Sequence, residues 1–160
     1  MILGRHDAAR SNYQIAVEDS SITGAERGLV LVNYASMLTP DEAMPHLEEA
    51  ISLGCKLAYS ALAQKYLKKG DTTAVTLTLK RGVDDGDGIS VVALCSEYAA
   101  RGGLLNRVRM MIVIARAMAM GINLHEAMHH RLATQISWQG DGQIENGSAA
   151  FARAYWKFSR

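Results

Sequence analysis

A tyrosine recurs at equal intervals along this 160-residue chain, at Tyr34, Tyr66 and Tyr98. Each tyrosine lies in a similar phrase, and the three phrases are GLVLVNYASM, AYSALAQKYLKKGD and ISVVALCSEYAARGG. Apolar and small residues recur inside each phrase at three- and four-residue steps, which is the spacing of one face of an α-helix. A period of about 32 residues is typical of stacked helical repeats, so it constrains the fold more than any other feature of the sequence. We call this spacing the repeat register.

A second stripe of apolar and small residues follows each phrase and predicts a second helix in each repeat. The predicted packing positions are Ala43, Leu47 and Ala50, then Val75, Leu79 and Gly82, then Val108, Ile112 and Ala115. Helix starts are indicated by Thr39-Pro40-Asp41-Glu42, a capping box with proline at the first helical position, and by Thr23-Gly24-Ala25-Glu26. Four glycines are predicted to end helices, at Gly54, Gly70, Gly82 and Gly121.

One stretch also fits a different structure. Residues 72–82, TTAVTLTLKRG, alternate polar and apolar and are rich in β-branched residues, as strands are. With residues 89–95 they could form a hairpin across VDDGDG, a glycine-rich acidic turn that lacks the spacing of a calcium loop. The repeat register favours helix here, because the equivalent positions in the other repeats are helical.

The phrase L-A-x-x-Y-x-x-x-G-D, which contains Leu62, Ala63 and Tyr66, resembles the tetratricopeptide repeat. The packing positions A-x-x-x-L-x-x-A at Ala43, Leu47 and Ala50 resemble those of its second helix, and the pentatricopeptide arrays share the unit. The resemblance covers roughly residues 23–135. The period is slightly shorter than the one usual in that family, and the usual early tryptophan and closing proline are missing.

This resemblance implies an all-α fold, a right-handed stack of about three to four helix-turn-helix repeats. We predict a single domain over residues 1–160, with an N-terminal segment at 1–22 and repeats at 23–137. Such stacks need capped ends. The segment AAFARAYWKFSR spaces its aromatic residues as one helical face, so a C-terminal capping helix is predicted at 148–158.

The bulk composition excludes some function classes. The net charge is +1 and the mild excess of arginine after Arg81 forms no sustained basic run, so nucleic-acid binding in the pentatricopeptide manner is not expected. Neither a signal peptide nor a stretch that could span a bilayer is evident. Cys55 and Cys95 lie among small or apolar residues without metal-binding spacing, which predicts buried thiols in the cytoplasm.

The stretch HEAMH at 125–129 matches the H-E-x-x-H motif of zinc metalloproteases. On a helix, His125 and His129 would share a face and could bind one Zn²⁺, with Glu126 as the general base. Arg131 stands where that family prefers an apolar residue, and no motif supplies a third ligand. The same residues fit the first helix of a fourth repeat, so we expect no cofactor and keep a zinc-dependent hydrolase as the alternative.

The resemblance implies a non-enzymatic module, an adaptor or a chaperone, that binds a protein or peptide in an apolar concave groove lined by the first helices. The residues expected to face this groove are Asn33, Ser36, Ser60, Gln64, Lys68 and Ser96. They do not reproduce the set by which some tetratricopeptide domains hold a C-terminal carboxylate, so that partner class is not expected. Self-association into a homo-oligomer is the other use predicted for this surface, and neither nucleic acid nor membrane is an expected partner.

Overall fold

The computed structural model describes residues 3–128, with side chains for residue 8 and for residues 10–128. Within that part of the chain all regular structure is helical, which confirms the all-α prediction. The helices are α1 (Leu3–Glu18), α2 (Gly24–Ser36), α3 (Pro40–Ser52), α4 (Leu57–Lys68), α5 (Thr72–Asp84), α6 (Gly88–Arg101) and α7 (Gly103–Ala119). Residues 124–128 are also helical. The predicted capping helix at 148–158 and the end of the predicted repeats lie outside the described residues.

The stretch at 72–82 is helical, as the repeat register predicts, and the hairpin alternative is wrong. It lies within α5, and residues 89–95 lie within α6. The polar–apolar alternation there does not produce a strand because helical positions with a different spacing supply the buried residues. Val75, Leu79 and Val83 are buried at four-residue steps, while Leu77, which the alternation would group with them, is exposed.

The chain divides into two compact units, Met1–Thr78 and Leu79–Arg160, and the boundary falls within α5. In the first unit α1 packs on α2, α2 on α3 and α3 on α4, and α2 also packs on α4. The core of this unit consists of Leu31, Tyr34, Ala35, Leu38, Ala43, Leu47, Ala50, Ala58 and Leu62. It contains the three second-helix positions predicted for the first repeat. The single domain predicted over 1–160 stays a prediction.

In the second unit α6 packs on α7. Its buried apolar side chains are Leu79, Val83, Val91, Val92, Leu94, Cys95, Tyr98, Met110, Ala117, Leu124, Ala127 and Met128. Only Met110 and Ala117 come from α7, so this long helix contributes little to the interior for its length. Cys95 is a buried thiol as predicted, whereas Cys55 of the first unit is only half-buried.

The N-terminal segment forms helix α1, which the sequence did not predict. Tyr13 and Val17 on this helix pack against the core of the first unit. Arg27 of α2 fixes its end, because its guanidinium donates a hydrogen bond of 2.9 Å to the carbonyl oxygen of Val17 and pairs at 3.0 Å with the carboxylate of Glu49. The segment is therefore attached to α2 and α3 by both apolar and polar contacts.

The helix boundaries follow the predicted signals with two exceptions. The backbone N–H and the hydroxyl of Thr39 both donate to the Glu42 carboxylate, which confirms this capping box. Thr23 precedes α2 as predicted, but its side chain makes no capping hydrogen bond. Positive φ angles follow the helix ends at Gly54, Gly70 and Gly121, as predicted. Gly82 lies inside α5, and Gly86 is the residue with positive φ after that helix.

A buried aspartate begins α6. The Asp87 carboxylate accepts hydrogen bonds from the backbone N–H groups of Ile89 and Ser90, at 3.1 and 2.9 Å, and from the Ser90 hydroxyl. These bonds satisfy two of the amide groups that a helix N-terminus leaves without intrahelical partners. The predicted turn VDDGDG thus ends in a helix cap.

None of the helices that the structure describes is long and apolar enough to cross a membrane.

Candidate functional site

Five of the predicted groove residues lie on α2 and α4 in the first unit. Asn33 is partly buried and Ser36 is exposed, and the Ser36 hydroxyl donates a 2.6 Å hydrogen bond to the Asn33 carbonyl oxygen. On α4 the Ser60 hydroxyl donates to the Leu57 carbonyl oxygen at 3.0 Å. Both hydroxyls therefore have partners within their own helix. Of the other two, Gln64 is partly buried and Lys68 is exposed, and a groove formed by these residues stays a prediction.

The prediction for Ser96 is wrong. Its side chain is 4% exposed, and its hydroxyl donates a 2.8 Å hydrogen bond to the Val92 carbonyl oxygen within α6. A buried hydroxyl with an internal partner cannot contact a ligand at the surface. The register that placed Ser96 toward a groove fails because α6 is buried around most of its circumference, with seven buried residues.

The histidine motif is only partly within the described residues. Residues 124–128 are helical, and Asn123 caps their start, since its side-chain oxygen accepts a hydrogen bond of 3.1 Å from the Glu126 backbone N–H. His125 and Glu126 are exposed, whereas Leu124, Ala127 and Met128 are buried. His129 lies outside the described residues, and no cluster of three metal-binding side chains occurs among those described. Zinc binding stays a prediction of the alternative function.

The most unusual surface of the described chain lies on α7. Six large apolar side chains of this helix are exposed: Leu104, Leu105, Val108, Met111, Ile112 and Met118. We call this set the α7 outer face. Leu104 is 79% exposed and Ile112 is 61% exposed, values at which an apolar side chain gains almost nothing from folding. Elsewhere in the described chain the exposed large apolar residues occur singly, at Ile15, Leu29, Leu67 and Leu77 on four different helices, and at Met120 just after α7.

The outer face includes Val108 and Ile112, two of the three residues in a stripe that the sequence assigned to the interior. Val108, Ile112 and Ala115 were predicted to pack inside the repeat, and all three are exposed. The residues that pack are Met110 and Ala117, which are buried, with Val113 and Ile114 partly buried beside them. The prediction was wrong because α7 is apolar on two opposite sides, and spacing alone does not determine which side meets α6.

Arginines border the outer face along both edges. At about 100° per residue, Arg107 falls on one edge of the exposed apolar arc, and Arg109 and Arg116 fall on the other. Arg109 donates to the Asn106 side-chain oxygen at 3.3 Å, and Arg116 forms an ion pair of 2.7 Å with Asp84 at the end of α5. Helix α7 has no acidic residue. The surface is therefore an apolar strip with positively charged borders.

Composition separates this strip from a typical membrane-surface helix. The outer face is aliphatic and thioether in character and contains no aromatic side chain. Helices that lie in a bilayer interface commonly carry tryptophan, phenylalanine or leucine on the apolar side, and of these the outer face has leucine alone, at Leu104 and Leu105. Methionine, by contrast, adapts to irregular partner surfaces because its side chain is unbranched and polarisable. The chemistry of the outer face therefore suits contact with protein side chains.

Comparisons with protein-family models, with curated proteins and with solved structures find no match for this chain.

Proposed function

We propose that this chain is a non-enzymatic protein-interaction module that binds an apolar helical segment of a protein partner. The observation that carries the proposal is the α7 outer face, with its six exposed large apolar side chains on one helix. Contiguous apolar surface of this kind is uncommon on monomeric proteins and usually marks an interaction site. Residues exposed singly on other helices need no such explanation.

The finer description of the fold belongs to the same proposal. Helices α2, α4 and α6 begin at Gly24, Leu57 and Gly88, so their starts recur at nearly the spacing of the three tyrosines. The starts of α3, α5 and α7 recur in the same way. This recurrence supports a stack of helix-turn-helix repeats, and the resemblance to the tetratricopeptide family implies that the stack is right-handed. Packing of α2 on α4 also supports it, because alternate helices of such stacks lie side by side. In this proposal the protein works as an adaptor or a chaperone in the cytoplasm.

The α7 outer face is a different surface from the concave groove expected from the sequence, because the groove would be lined by the first helices of the repeats and α7 is a second helix. The groove residues of the first unit are small or polar, and the hydroxyls of Ser36 and Ser60 are bonded within their helices. A partner would gain little apolar burial there. Covering a side chain such as Leu104 or Ile112 with a partner contributes roughly 1–2 kcal/mol per side chain to the free energy of binding. A ligand along α7 therefore gains more from burial than one lying on those residues.

The proposal can be tested with a neutral amphipathic peptide. We would titrate a synthetic helix with leucine at its apolar heptad positions and glutamine elsewhere into the isotope-labelled full chain, and record amide shifts by NMR. We expect shifts concentrated on α7, and we expect Ile112→Glu to weaken binding at least about tenfold, since it would bury an unpaired charge.

The matched control is Leu77→Glu, because Leu77 and Ile112 are both 61% exposed and only Ile112 has apolar neighbours exposed on its helix. This variant should bind the peptide like the wild type. If the amide shifts instead map to α2 and α4 and disappear in Lys68→Glu, the peptide binds in the predicted groove. No saturable binding of any amphipathic peptide would reject the proposed function.

A further inference from the structure

The α7 outer face has the spacing of a helix-pairing seam. Four of its residues, Leu104, Val108, Met111 and Met118, together with the exposed Ala115 beside them, follow one another at alternating steps of four and three residues, and all five are exposed. Alternating steps of this kind are the spacing of heptad positions a and d, which pack as knobs into holes of a facing helix. The seam is about 21 Å long at about 1.5 Å per residue, which matches about four turns of a partner helix.

The charges beside the seam restrict what that partner can be. With Leu104, Met111 and Met118 at position d and Val108 and Ala115 at position a, Arg107 takes the flanking position g, while Arg109 lies further round the helix at position b. Both arginines are exposed, and the residues of α7 include no carboxylate that would offset them. In a coiled-coil arrangement the positions that flank the seam select the partner by charge. We propose, on the basis of the proposed function, that the natural partner of α7 is an amphipathic helix whose flanking positions are acidic.

A second copy of this chain fits the seam poorly. Pairing α7 with itself would add a second Arg107 beside the seam, with no acidic side chain of α7 to compensate either arginine. Like charges brought together at an interface cost free energy and suppress that pairing. The homo-oligomer predicted as an option is therefore disfavoured at this surface.

The aromatic segment near the chain's end is disfavoured on the same ground. Residues 148–158 include Arg153 and Lys157 and no acidic residue. An anionic membrane would satisfy the arginines, but the outer face contains no aromatic side chain of the kind that anchors helices at that interface. An acidic helix satisfies both the apolar seam and its positively charged borders.

The experiment compares three fluorescein-labelled peptides that differ only at the positions flanking a leucine heptad seam: glutamate, glutamine or lysine. Each is titrated with the full chain and followed by fluorescence anisotropy, in about 0.05 M and about 0.5 M NaCl, because salt screens exposed charges. We expect the affinity to fall from the glutamate peptide to the glutamine peptide to the lysine peptide. At low salt the glutamate peptide should bind at least about tenfold more tightly than the lysine peptide. At high salt the ratio should shrink toward one.

Charge-reversed variants locate the effect. Arg107→Glu should weaken binding of the glutamate peptide about three- to tenfold and strengthen binding of the lysine peptide. Lys80→Glu, at an exposed residue of α5 that belongs to no predicted site, changes the net charge by the same amount and should leave the order of the peptides intact. A fall in affinity in Lys80→Glu equal to that in Arg107→Glu would overturn the proposal, because net charge alone would then explain the preference.

Other outcomes are equally decisive. Equal binding of the three peptides, with Ile112→Glu abolishing all of it, would leave the proposed function standing and overturn the acidic partner. If vesicles of phosphatidylserine and phosphatidylcholine bind the wild type but do not bind Ile112→Glu, the α7 outer face is a membrane-binding surface instead. A dimer in analytical ultracentrifugation that Ile112→Glu dissociates would assign it to a second copy.

Discussion

The ammonium group of Lys65 on α4 donates a 2.8 Å hydrogen bond to the carbonyl oxygen of Leu38, just beyond the end of α2. The Lys65 side chain is 5% exposed, so this bond forms inside the first unit. A helix end leaves several carbonyl groups without intrahelical partners, and a cation nearby also interacts favourably with the helix dipole. One buried lysine thus joins two helices that are not adjacent in sequence.

Replacing Lys65 by methionine should destabilise the protein by roughly 1–3 kcal/mol, because the Leu38 carbonyl group would lose its charged donor. Urea unfolding followed by circular dichroism measures this loss. Lys65→Arg keeps a donor of similar reach and should lose less stability than Lys65→Met. Equal stability of Lys65→Met and the wild type would show that the hydrogen bond only offsets the cost of burying the ammonium.

The same side chain should make stability depend on pH. Burial lowers the pKa of Lys65 below its usual 10.5, and the nearby Lys68 lowers it further. The folded chain therefore releases this proton at a lower pH than the unfolded chain does, and folding stability gains as the pH rises from the lowered pKa toward 10.5. We expect the stability advantage of the wild type over Lys65→Met to widen in that window. A constant difference would contradict the lowered pKa.

The start of α6 offers a packing test. A Cβ atom at Gly88 would lie 2.8 Å from the Cβ atom of Ala127 and 3.3 Å from a methyl carbon of Ile122. Gly88→Ala should therefore destabilise the protein by about 1–3 kcal/mol, since these groups would have to move apart. The swap Gly88→Ala/Ala127→Gly restores the space, and it should be more stable than Gly88→Ala in thermal melts. A swap less stable than the single variant would disprove this contact.

The capping box of α3 should make folding stability depend on pH in the acidic range. Hydrogen bonds from the side chain and the backbone of Thr39 lower the pKa of Glu42 below its usual 4.5, and Arg10 lowers it slightly further. The stability that this carboxylate contributes is present above pH 4.5 and is lost as the pH falls through the lowered pKa. NMR titration of the carboxyl carbon should give this lowered value in the wild type. Thr39→Val, which removes the hydroxyl, should move the pKa back toward 4.5.

The histidine motif is tested by metal content. His125 and Glu126 are exposed on a helical segment whose other residues are buried, so we expect the segment to serve packing rather than catalysis. Native mass spectrometry of the untagged full chain should find less than stoichiometric zinc, unchanged in His125→Ala. One zinc per chain that disappears in His125→Ala would favour the hydrolase. A catalytic zinc would also require a third protein ligand.

The repeat register predicted the interior of the first helices well. Leu31, Ala63 and Cys95 occupy equivalent positions, and all three are buried. In the equivalent set Val30, Leu62 and Leu94, the two leucines are fully buried and Val30 is partly buried. The register therefore overruled the strand-like alternation in α5 correctly.

Other features depend on contacts that no local pattern contains. Helix α7 has two apolar sides, and only its contact with α6 shows that Met110 and Ala117 face inward. Helix α1 is largely polar, with Tyr13 and Val17 packing on the core, so its apolar stripe is too weak to predict. The site was missed for the same reason: its residues look like a core stripe in sequence, and only their exposure distinguishes them.

Under the proposed function, the two-sided character of α7 links the fate of this protein to that of its partner. A chain that keeps an uncovered apolar seam is prone to aggregate, and chaperones and proteases continuously remove unfolded and aggregating chains from the cell. Production in excess of the partner would thus leave molecules that are native in structure and yet handled as damaged. Under the proposed function, the amount of partner present would then set the lifetime of this chain in addition to its folding stability.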